Sequence, residues 1–204
     1  MQSHPSPELI ERFAAGKLPL APSLVVESHM EACPACTARG ARLEAVHGRA
    51  LADLADAPLR ADALDRALAA LDAPTPGTPS LGDTPLPAAI IRQGLHARRF
   101  IGTDYWVAPV RRARRETWRA YVLRAPAGTA ILAHRHLGQE YFQVLMGSVV
   151  DGGLHRTGDF VGGDKGVDHA LRVTDDGPCA CLIAVEHGAR WRGAMRLLAP
   201  LLGV

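Results

Sequence analysis

Three histidines and one glutamate in the second half of the chain have the composition and spacing of a metal site. The four residues are His134, His136, Glu140 and His169. Glycines flank them at Gly128, Gly147 and Gly158. Three imidazoles and one carboxylate suit Zn, Mn, Fe or Ni. On a strand, His134, His136 and Glu140 share one parity. The sequence therefore predicts three ligands on one inward face and a fourth, His169, from a later strand.

This spacing resembles the first motif of the cupin superfamily, G-x5-HxH-x3-E-x6-G, which is complete here. The second motif is met at Gly158, Gly166 and His169, whereas Asp164 replaces its proline and Val173 its asparagine. The resemblance implies an all-β cupin barrel, or jelly roll, with the metal in its mouth. It does not by itself imply an activity, because one fold hosts many functions.

A second set of candidate ligands lies near the N-terminus, at His29, Cys33 and Cys36. His29 precedes Cys33 by one helical turn, so the two side chains point the same way. Cys36 falls in the first turn of a helix that begins at Pro34, where the helix dipole favours a thiolate. Two thiolates and an imidazole form a tetrahedral zinc set that requires a fourth ligand. His4 is the candidate, and the alternative is that it is a solvated terminal residue beside buried thiols.

The sequence of the first half of the chain predicts four short helices. The first runs from about Pro7 to Lys17 with Ser6 as N-cap, and the second from about Ser23 to Ala32. Helical spacing of apolar residues marks a third and a fourth, at Leu43, Val46, Ala50 and Leu54 and then at Leu64, Leu68 and Leu71. So small a helical bundle buries little apolar surface, and a zinc ion would stabilise it.

Composition divides the chain into two domains. Residues 74–87 hold five prolines and two glycines, which predicts a semi-extended linker. Residues 1–73, the predicted helical domain stabilised by zinc, contain seven Lys or Arg and ten Asp or Glu. Residues 88–204, the predicted cupin domain, hold sixteen against ten. The acidic helical half argues against direct contact with nucleic acid, which requires a basic face.

The order of helical zinc domain, linker and cupin resembles the ChrR family of anti-sigma factors. The resemblance implies that the helical domain binds an extracytoplasmic-function sigma factor. It also implies that the cupin domain releases the sigma factor on oxidative stress, through singlet oxygen or organic peroxide, and that the chain is not an enzyme. Members of the family bind zinc in both domains. The resemblance implies that the corresponding ligands of this chain are His4, His29, Cys33, Cys36, His134, His136, Glu140 and His169.

Three further expectations complete the sequence analysis. The chain lacks an apolar run of membrane-span length and the pattern of a signal peptide, which predicts a cytoplasmic protein with reduced thiols and no membrane partner. Cys179 and Cys181 lie on one strand face, either as core filling or as a pair that senses a reactive species. The alternative function is a metal-dependent cupin enzyme, a dioxygenase or isomerase, in which the helical domain is an accessory module.

Overall fold

The computed structural model describes residues 3–71, 80–81, 84–111, 117–166 and 168–191. The predicted linker falls largely outside these ranges, at residues 74–79, 82 and 83. The helices are α1 (Pro7–Ala14), α2 (Leu20–Ala32), α3 (Pro34–Ala52), α4 (Ala63–Leu71) and α5 (Ala88–Gln93). The strands are β1 (Arg99–Gly102), β2 (Tyr105–Pro109), β3 (Trp118–Ala125), β4 (Ala130–His136), β5 (Glu140–Met146), β6 (Ser148–Val150), β7 (Leu154–Arg156), β8 (Phe160–Gly163), β9 (Asp168–Val173), β10 (Cys179–Glu186) and β11 (Ala189–Trp191).

The strands form two antiparallel sheets that pack as a sandwich. One sheet has the order β1-β2-β3-β10-β5-β8, and the other β11-β4-β9-β6-β7. This arrangement confirms the prediction of a C-terminal cupin-like β-fold behind a small helical region. No helix in the described part of the chain is both long and apolar enough to span a membrane.

The central strand β10 is covered on both faces. Ala180, Leu182 and Ala184 pack in the cluster that also contains the helices, whereas Cys179 and Cys181 pack between the two sheets. Successive side chains of a strand point to opposite faces, so a strand covered on both sides requires an unbroken apolar run. The sequence of β10, CACLIAVE, supplies that run.

Helix α2 covers the outer face of the six-stranded sheet. Its buried side chains include Leu24, Val25 and Val26, and it contacts β3, β5 and β10. The carboxylate of Glu31 on α2 accepts hydrogen bonds from the first two backbone N–H groups of α5, those of Ala88 and Ala89, at 2.8 and 3.0 Å. A helix that is apolar on most of its surface must be buried, and α2 meets this condition against the sheet.

The start of the helical region agrees with its predicted signals. Ser6 caps α1, accepting a hydrogen bond from the N–H of Leu9 at 3.2 Å, and Pro7 is the first helical residue. Helix α1 ends at Ala14 rather than at Lys17, and α2 begins at Leu20 rather than at Ser23. Cys33 lies between α2 and α3 in an extended conformation, as the following proline requires.

The large apolar side chains between Val46 and Leu71 do not enter the core. Val46 is 52% exposed and Leu54 is 66% exposed, and no side chain of α4 is buried. In contrast, Leu81 and Leu86, at the end of the predicted linker, are buried in the core shared by α2 and the sheet. The first part of α3 therefore packs against α1 and α2, whereas the end of α3 and the whole of α4 present their apolar side chains outward.

Candidate metal centres

Four side chains converge between the two sheets at one end of the sandwich. His134 and His136 lie at the end of β4, His169 lies on the neighbouring strand β9, and Glu140 is the first residue of β5. His134 and His169 are direct cross-strand partners. One ligand atom from each of the four lies within 4.8 Å of every other. We refer to this group as the cupin centre.

The position of Glu140 corrects the prediction that it shares one strand face with the histidines. Strand β4 ends at His136, the chain turns at Leu137–Gln139, and Glu140 opens a strand of the other sheet. The spacing therefore places the carboxylate across the sandwich from the imidazoles. The parity argument failed because it assumed an unbroken strand through the turn.

The separations of His169 from the other two histidines of the cupin centre fit ligands at right angles around one metal ion. His169 Nε2 lies 2.9 Å from His136 Nε2 and 3.1 Å from His134 Nε2. Two nitrogens at right angles around a metal, with bonds of about 2.1 Å, are separated by about 3.0 Å. Glu140 Oε1 is 3.4 Å from His136 Nε2 and 3.9 Å from His169 Nε2. Four ligands in this arrangement leave room for further coordination.

The electrostatics of the cupin centre also favour a cation. Glu140 is buried, and burial raises its pKa to about 7, although nearby His169 acts in the opposite direction. Burial and the proximity of His169 lower the pKa of His136. A buried carboxylate is costly without a compensating positive charge, and a metal ion would supply that charge.

The second group of side chains joins the N-terminus to the corner between α2 and α3. His4 precedes α1, His29 is on the last turn of α2, Cys33 is the corner residue and Cys36 is in the first turn of α3. Their ligand atoms also lie within 4.8 Å of one another. We refer to this group as the helical centre. The structure thus brings His4 together with the other three predicted ligands.

The separations in the helical centre match a tetrahedron. His4 Nδ1 is 3.4 Å from His29 Nε2 and 3.5 Å from the sulfur atoms of both Cys33 and Cys36. Zinc bonds of about 2.05 Å to nitrogen and 2.3 Å to sulfur give tetrahedral edges of about 3.4 Å and 3.6 Å. His29, Cys33 and Cys36 are buried, whereas His4 is exposed. The donor set and its geometry fit a closed four-coordinate site.

Burial opposes the thiolate that the helix dipole is expected to favour at Cys36. Burial, with a further contribution from Cys33, raises the pKa of Cys36 to about 11. Burial lowers the pKa of His29 as well. Both shifts favour the neutral forms of these two side chains, so deprotonation of the Cys36 thiol would accompany metal binding.

An apolar cavity adjoins the cupin centre. It is lined mainly by core side chains of both sheets, together with His134, Glu140, Cys179, Cys181 and Trp191. The cavity is small, with a volume of about 30 Å³, which gives room for about two water molecules. The sulfur atoms of Cys179 and Cys181 are buried and 3.8 Å apart. The pair lines the cavity, and this position is compatible with both interpretations, core filling and sensing.

Several residues that position the centres carry no sequence signal. Asp151 accepts a hydrogen bond from His169, the carbonyl of Gly158 accepts one from His29, and the ring of Trp191 stacks on that of His134 with centroids 4.4 Å apart. Asp151 and Trp191 lie outside the spacing of the motif. Gly158 belongs to the motif, but the partner of its carbonyl is 129 positions away in the sequence.

Comparisons with known proteins relate the chain to one group. Residues 99–190 match the family model of the ChrR cupin-like domain. The anti-sigma-E factor ChrR of Cereibacter sphaeroides is 29% identical over 216 residues, covering 100% of this chain and 99% of that protein.

Solved structures give the same relationship. In the crystal structure of Rhodobacter sphaeroides SigE in complex with the anti-sigma ChrR, the matching chain is 28% identical with a TM-score of 0.70, covering 91% of this chain and 100% of that one. An acetylacetone dioxygenase from Acinetobacter johnsonii is 10% identical, covering 49% of this chain and 81% of that one with a TM-score of 0.39, which is too distant to carry an argument. The chain is therefore similar to ChrR over its whole length, and residues 99–190 match the ChrR cupin-like domain.

Proposed function

We propose that this chain is an anti-sigma factor. Its helical domain, residues 1–73, binds an extracytoplasmic-function sigma factor in the cytoplasm and keeps it from RNA polymerase. Its cupin domain, residues 88–204, follows the linker 74–87 and governs release. The observation that carries the proposal is the full-length similarity to ChrR, whose relative was crystallised in complex with SigE.

The outward apolar surface of the helical region supports a protein partner. Among the described residues, seven of the eleven exposed large hydrophobic side chains lie between positions 46 and 71: Val46, Leu51, Leu54, Leu59, Leu64, Leu68 and Leu71. We call these seven residues the α3–α4 apolar surface. Leu64, Leu68 and Leu71 repeat at helical spacing along α4, and an amphipathic helix binds an apolar groove through such spacing.

The charge of the helical half selects the kind of partner. Residues 1–73 have three more acidic than basic side chains. A sigma factor requires basic surfaces to contact promoter DNA, so it offers a complementary charge to this half of the chain. A helical domain with exposed apolar side chains and an acidic net charge therefore suits a sigma factor better than it suits nucleic acid.

We propose zinc at both centres. At the helical centre, His4, His29, Cys33 and Cys36 would hold it in a closed structural site that fixes the N-terminus to the corner of α2 and α3. At the cupin centre, His134, His136, Glu140 and His169 would hold zinc, with Mn, Fe or Ni as alternatives. A metal here would link the two sheets and would offer an open position to a reactive species.

We further propose that oxidative stress acts through the cupin centre. Singlet oxygen or an organic peroxide would modify the ligands or bind at the centre, and the resulting change would shift the equilibrium toward a state with a weaker hold on the sigma factor. The rival route is oxidation of Cys33 and Cys36 with loss of the helical metal. The two routes predict different behaviour of ligand variants.

Binding is tested with the isolated partner. The sigma factor that copurifies with the tagged chain from its own bacterium is expressed separately, and its affinity and its inhibition in a transcription assay are measured. The double variant Leu64→Asp, Leu68→Asp should bind at least about thirtyfold more weakly, which corresponds to about 2 kcal/mol. Phe100→Asp is the matched control, because Phe100 is 66% exposed on the cupin domain. Equal affinities for the two variants would contradict the proposed surface.

Release is tested on the reconstituted complex. Singlet oxygen from a photosensitiser, or tert-butyl hydroperoxide, should dissociate the wild-type complex but not the complex of the His136→Ala, Glu140→Ala variant. Stress-induced release from that variant at the wild-type rate would exclude the cupin centre as the sensor and favour the thiol route.

The second candidate function is a metal-dependent cupin enzyme. Its support is the apolar cavity beside His134 and Glu140. The cavity has a volume of only about 30 Å³, so a substrate would require surrounding side chains to move. Oxygen consumption by the iron-loaded protein with candidate thiols or diketones, measured with an oxygen electrode, would support this function over the anti-sigma function.

A further inference from the structure

One short segment of the cupin domain contacts both candidate metal centres. It consists of residues 151–159, which follow β6, include β7 and precede β8. We call it the bridging segment. Asp151 lies at one end and Gly158 and Asp159 lie at the other, so eight positions or fewer separate the contacts described below.

The first end of the bridging segment supports the cupin centre. Asp151 accepts a hydrogen bond from His169 Nδ1, whose distances to the two carboxylate oxygens are 2.9 and 3.0 Å. This bond places the proton of His169 on Nδ1 and leaves Nε2 directed toward His134 and His136. A carboxylate in this position fixes the orientation of a ligating imidazole and increases its basicity.

The second end supports the helical centre. The Gly158 carbonyl accepts a hydrogen bond from His29 Nδ1 at 2.9 Å, which leaves Nε2 of His29 directed toward His4. His29 is completely buried, so its ring orientation depends on this bond. A ligand of the helical centre is therefore oriented by a backbone group of the cupin domain.

The second end also holds the residue that precedes His4. The Asp159 carboxylate accepts hydrogen bonds from the N–H of Ser3 at 3.1 Å and from the N–H of Arg156 at 2.7 Å. The N–H of Phe160 donates to the Ser3 carbonyl at 2.9 Å. Both backbone groups of Ser3 are thus bound at this turn. Two of the four ligands of the helical centre, His4 and His29, are positioned from it.

The bridging segment is held as one unit between these ends. Strand β7 pairs with β6, with Val150 opposite Leu154 and Ser148 opposite Arg156. Within the turn, the N–H of Asp151 donates to the Gly153 carbonyl at 2.8 Å, and Nε2 of His155 is 3.2 Å from the Asp151 carbonyl oxygen. These contacts connect Asp151 to the Gly158 end of the segment through a paired hairpin.

We propose that the bridging segment couples the two metal centres. Metal bound at the cupin centre fixes His169 against Asp151, and the segment then holds Gly158 and Asp159 where they orient His29 and His4. Loss of the cupin metal releases Asp151, loosens the second end and makes the helical metal easier to lose. Because coupling between two binding sites is reciprocal, metal at the helical centre also strengthens binding at the cupin centre. The proposal rests on the two proposed metal sites and is independent of sigma-factor binding.

The test measures the helical centre after a change at the cupin end. The full chain is loaded with zinc, and the alkylation of Cys33 and Cys36 by N-ethylmaleimide in the presence of EDTA is followed by peptide mass spectrometry. Asp151→Asn should accelerate alkylation by about fivefold, the lower end of the range for coupling between two sites. Asp175→Asn is the matched control, because its carboxylate is 82% exposed and pairs only with Arg172 among the described contacts.

A wild-type alkylation rate in Asp151→Asn, or an equal acceleration in Asp175→Asn, would overturn the coupling. The reverse experiment uses Asp159→Asn and measures the affinity of the cupin centre for zinc by chelator competition, with a decrease of about fivefold expected. An unchanged cupin affinity in this variant would also overturn the proposal, so the test does not depend on one variant folding. All measurements use the chain without a partner, so failure of the anti-sigma proposal leaves them interpretable.

Discussion

Glu140 and His136 face each other across the sandwich, with Glu140 Oε1 3.4 Å from His136 Nε2, although the two residues belong to different sheets. Only three residues separate them in the chain, and those residues form the connection between β4 and β5. A metal bound by both side chains therefore closes this end of the sandwich as a cross-link between sheets.

Metal removal should lower the thermal stability of the cupin domain. A ligand present at a thousand times its dissociation constant contributes about 4 kcal/mol, which corresponds to about 10 °C for a chain of this size. Differential scanning calorimetry with and without EDTA measures the shift. In Glu140→Ala the shift should shrink to the part that the helical centre contributes. A full wild-type shift in this variant would show that Glu140 is not a ligand.

His4 should strengthen zinc binding at the helical centre. Loss of one of four ligands from a structural zinc site removes about a quarter of a binding free energy of 10–16 kcal/mol, so His4→Ala should bind zinc about a hundredfold more weakly. Chelator competition with mass-spectrometric metal analysis measures this affinity. His47→Ala is the control, because His47 is exposed and its ring contacts the Ala14 carbonyl outside the centre. An unchanged affinity in His4→Ala would indicate a site with three protein ligands.

Gly147 should be far less tolerant of substitution than Gly152. Both have positive φ, +77° and +62°, but a Cβ on Gly147 would lie 2.2 Å from the Pro178 carbonyl oxygen, whereas a Cβ on Gly152 meets open space. Gly152→Ala should cost about 1 kcal/mol of unfolding free energy from backbone strain alone. Gly147→Ala should cost about 3 kcal/mol or more, because backbone must also move. Urea unfolding measures both values, and equal losses would contradict the contact.

Trp191 should report metal binding at the cupin centre. Its ring stacks on that of His134 at 4.4 Å between centroids, so a paramagnetic ion such as Co²⁺ bound by His134 should quench its fluorescence. Trp191→Phe should lose most of the quenching that Co²⁺ causes. Trp106→Phe should retain it, because Trp106 is buried in the core beneath α2 rather than at the centre. Quenching that survives in Trp191→Phe would place the bound ion elsewhere.

Residue type and spacing predicted which side chains gather at each centre. The eight predicted ligands form two groups of four, because short-range spacing on β4 and around Pro34 fixes most of their relative positions. The strand on which Glu140 lies was not predicted, since parity does not reveal where a strand ends. Spacing predicted helices at Val46 and Leu64 but not that their apolar faces stay exposed, because a repeat of that kind does not identify what covers it.

The hydrogen bonds that orient the ligands of the two centres could not be predicted from the sequence. Asp151 reaches His169 through the register of β6 with β7 and β9, and Gly158 reaches His29 through the packing of α2 on the sheet. Such contacts follow from tertiary arrangement and leave no local pattern. For the same reason the raised pKa of Cys36 was missed, because burial is a property of the folded chain.

The packing of α2 on the six-stranded sheet also limits how the two halves of the chain can be exchanged between relatives. Val25 and Val26 share one core with Leu182 of β10 and Ile90 of α5. A hybrid that joins the helices of one relative to the sandwich of another would bring together side chains that were not selected to fit. A working hybrid therefore requires the residues on both sides of this boundary to be transferred together.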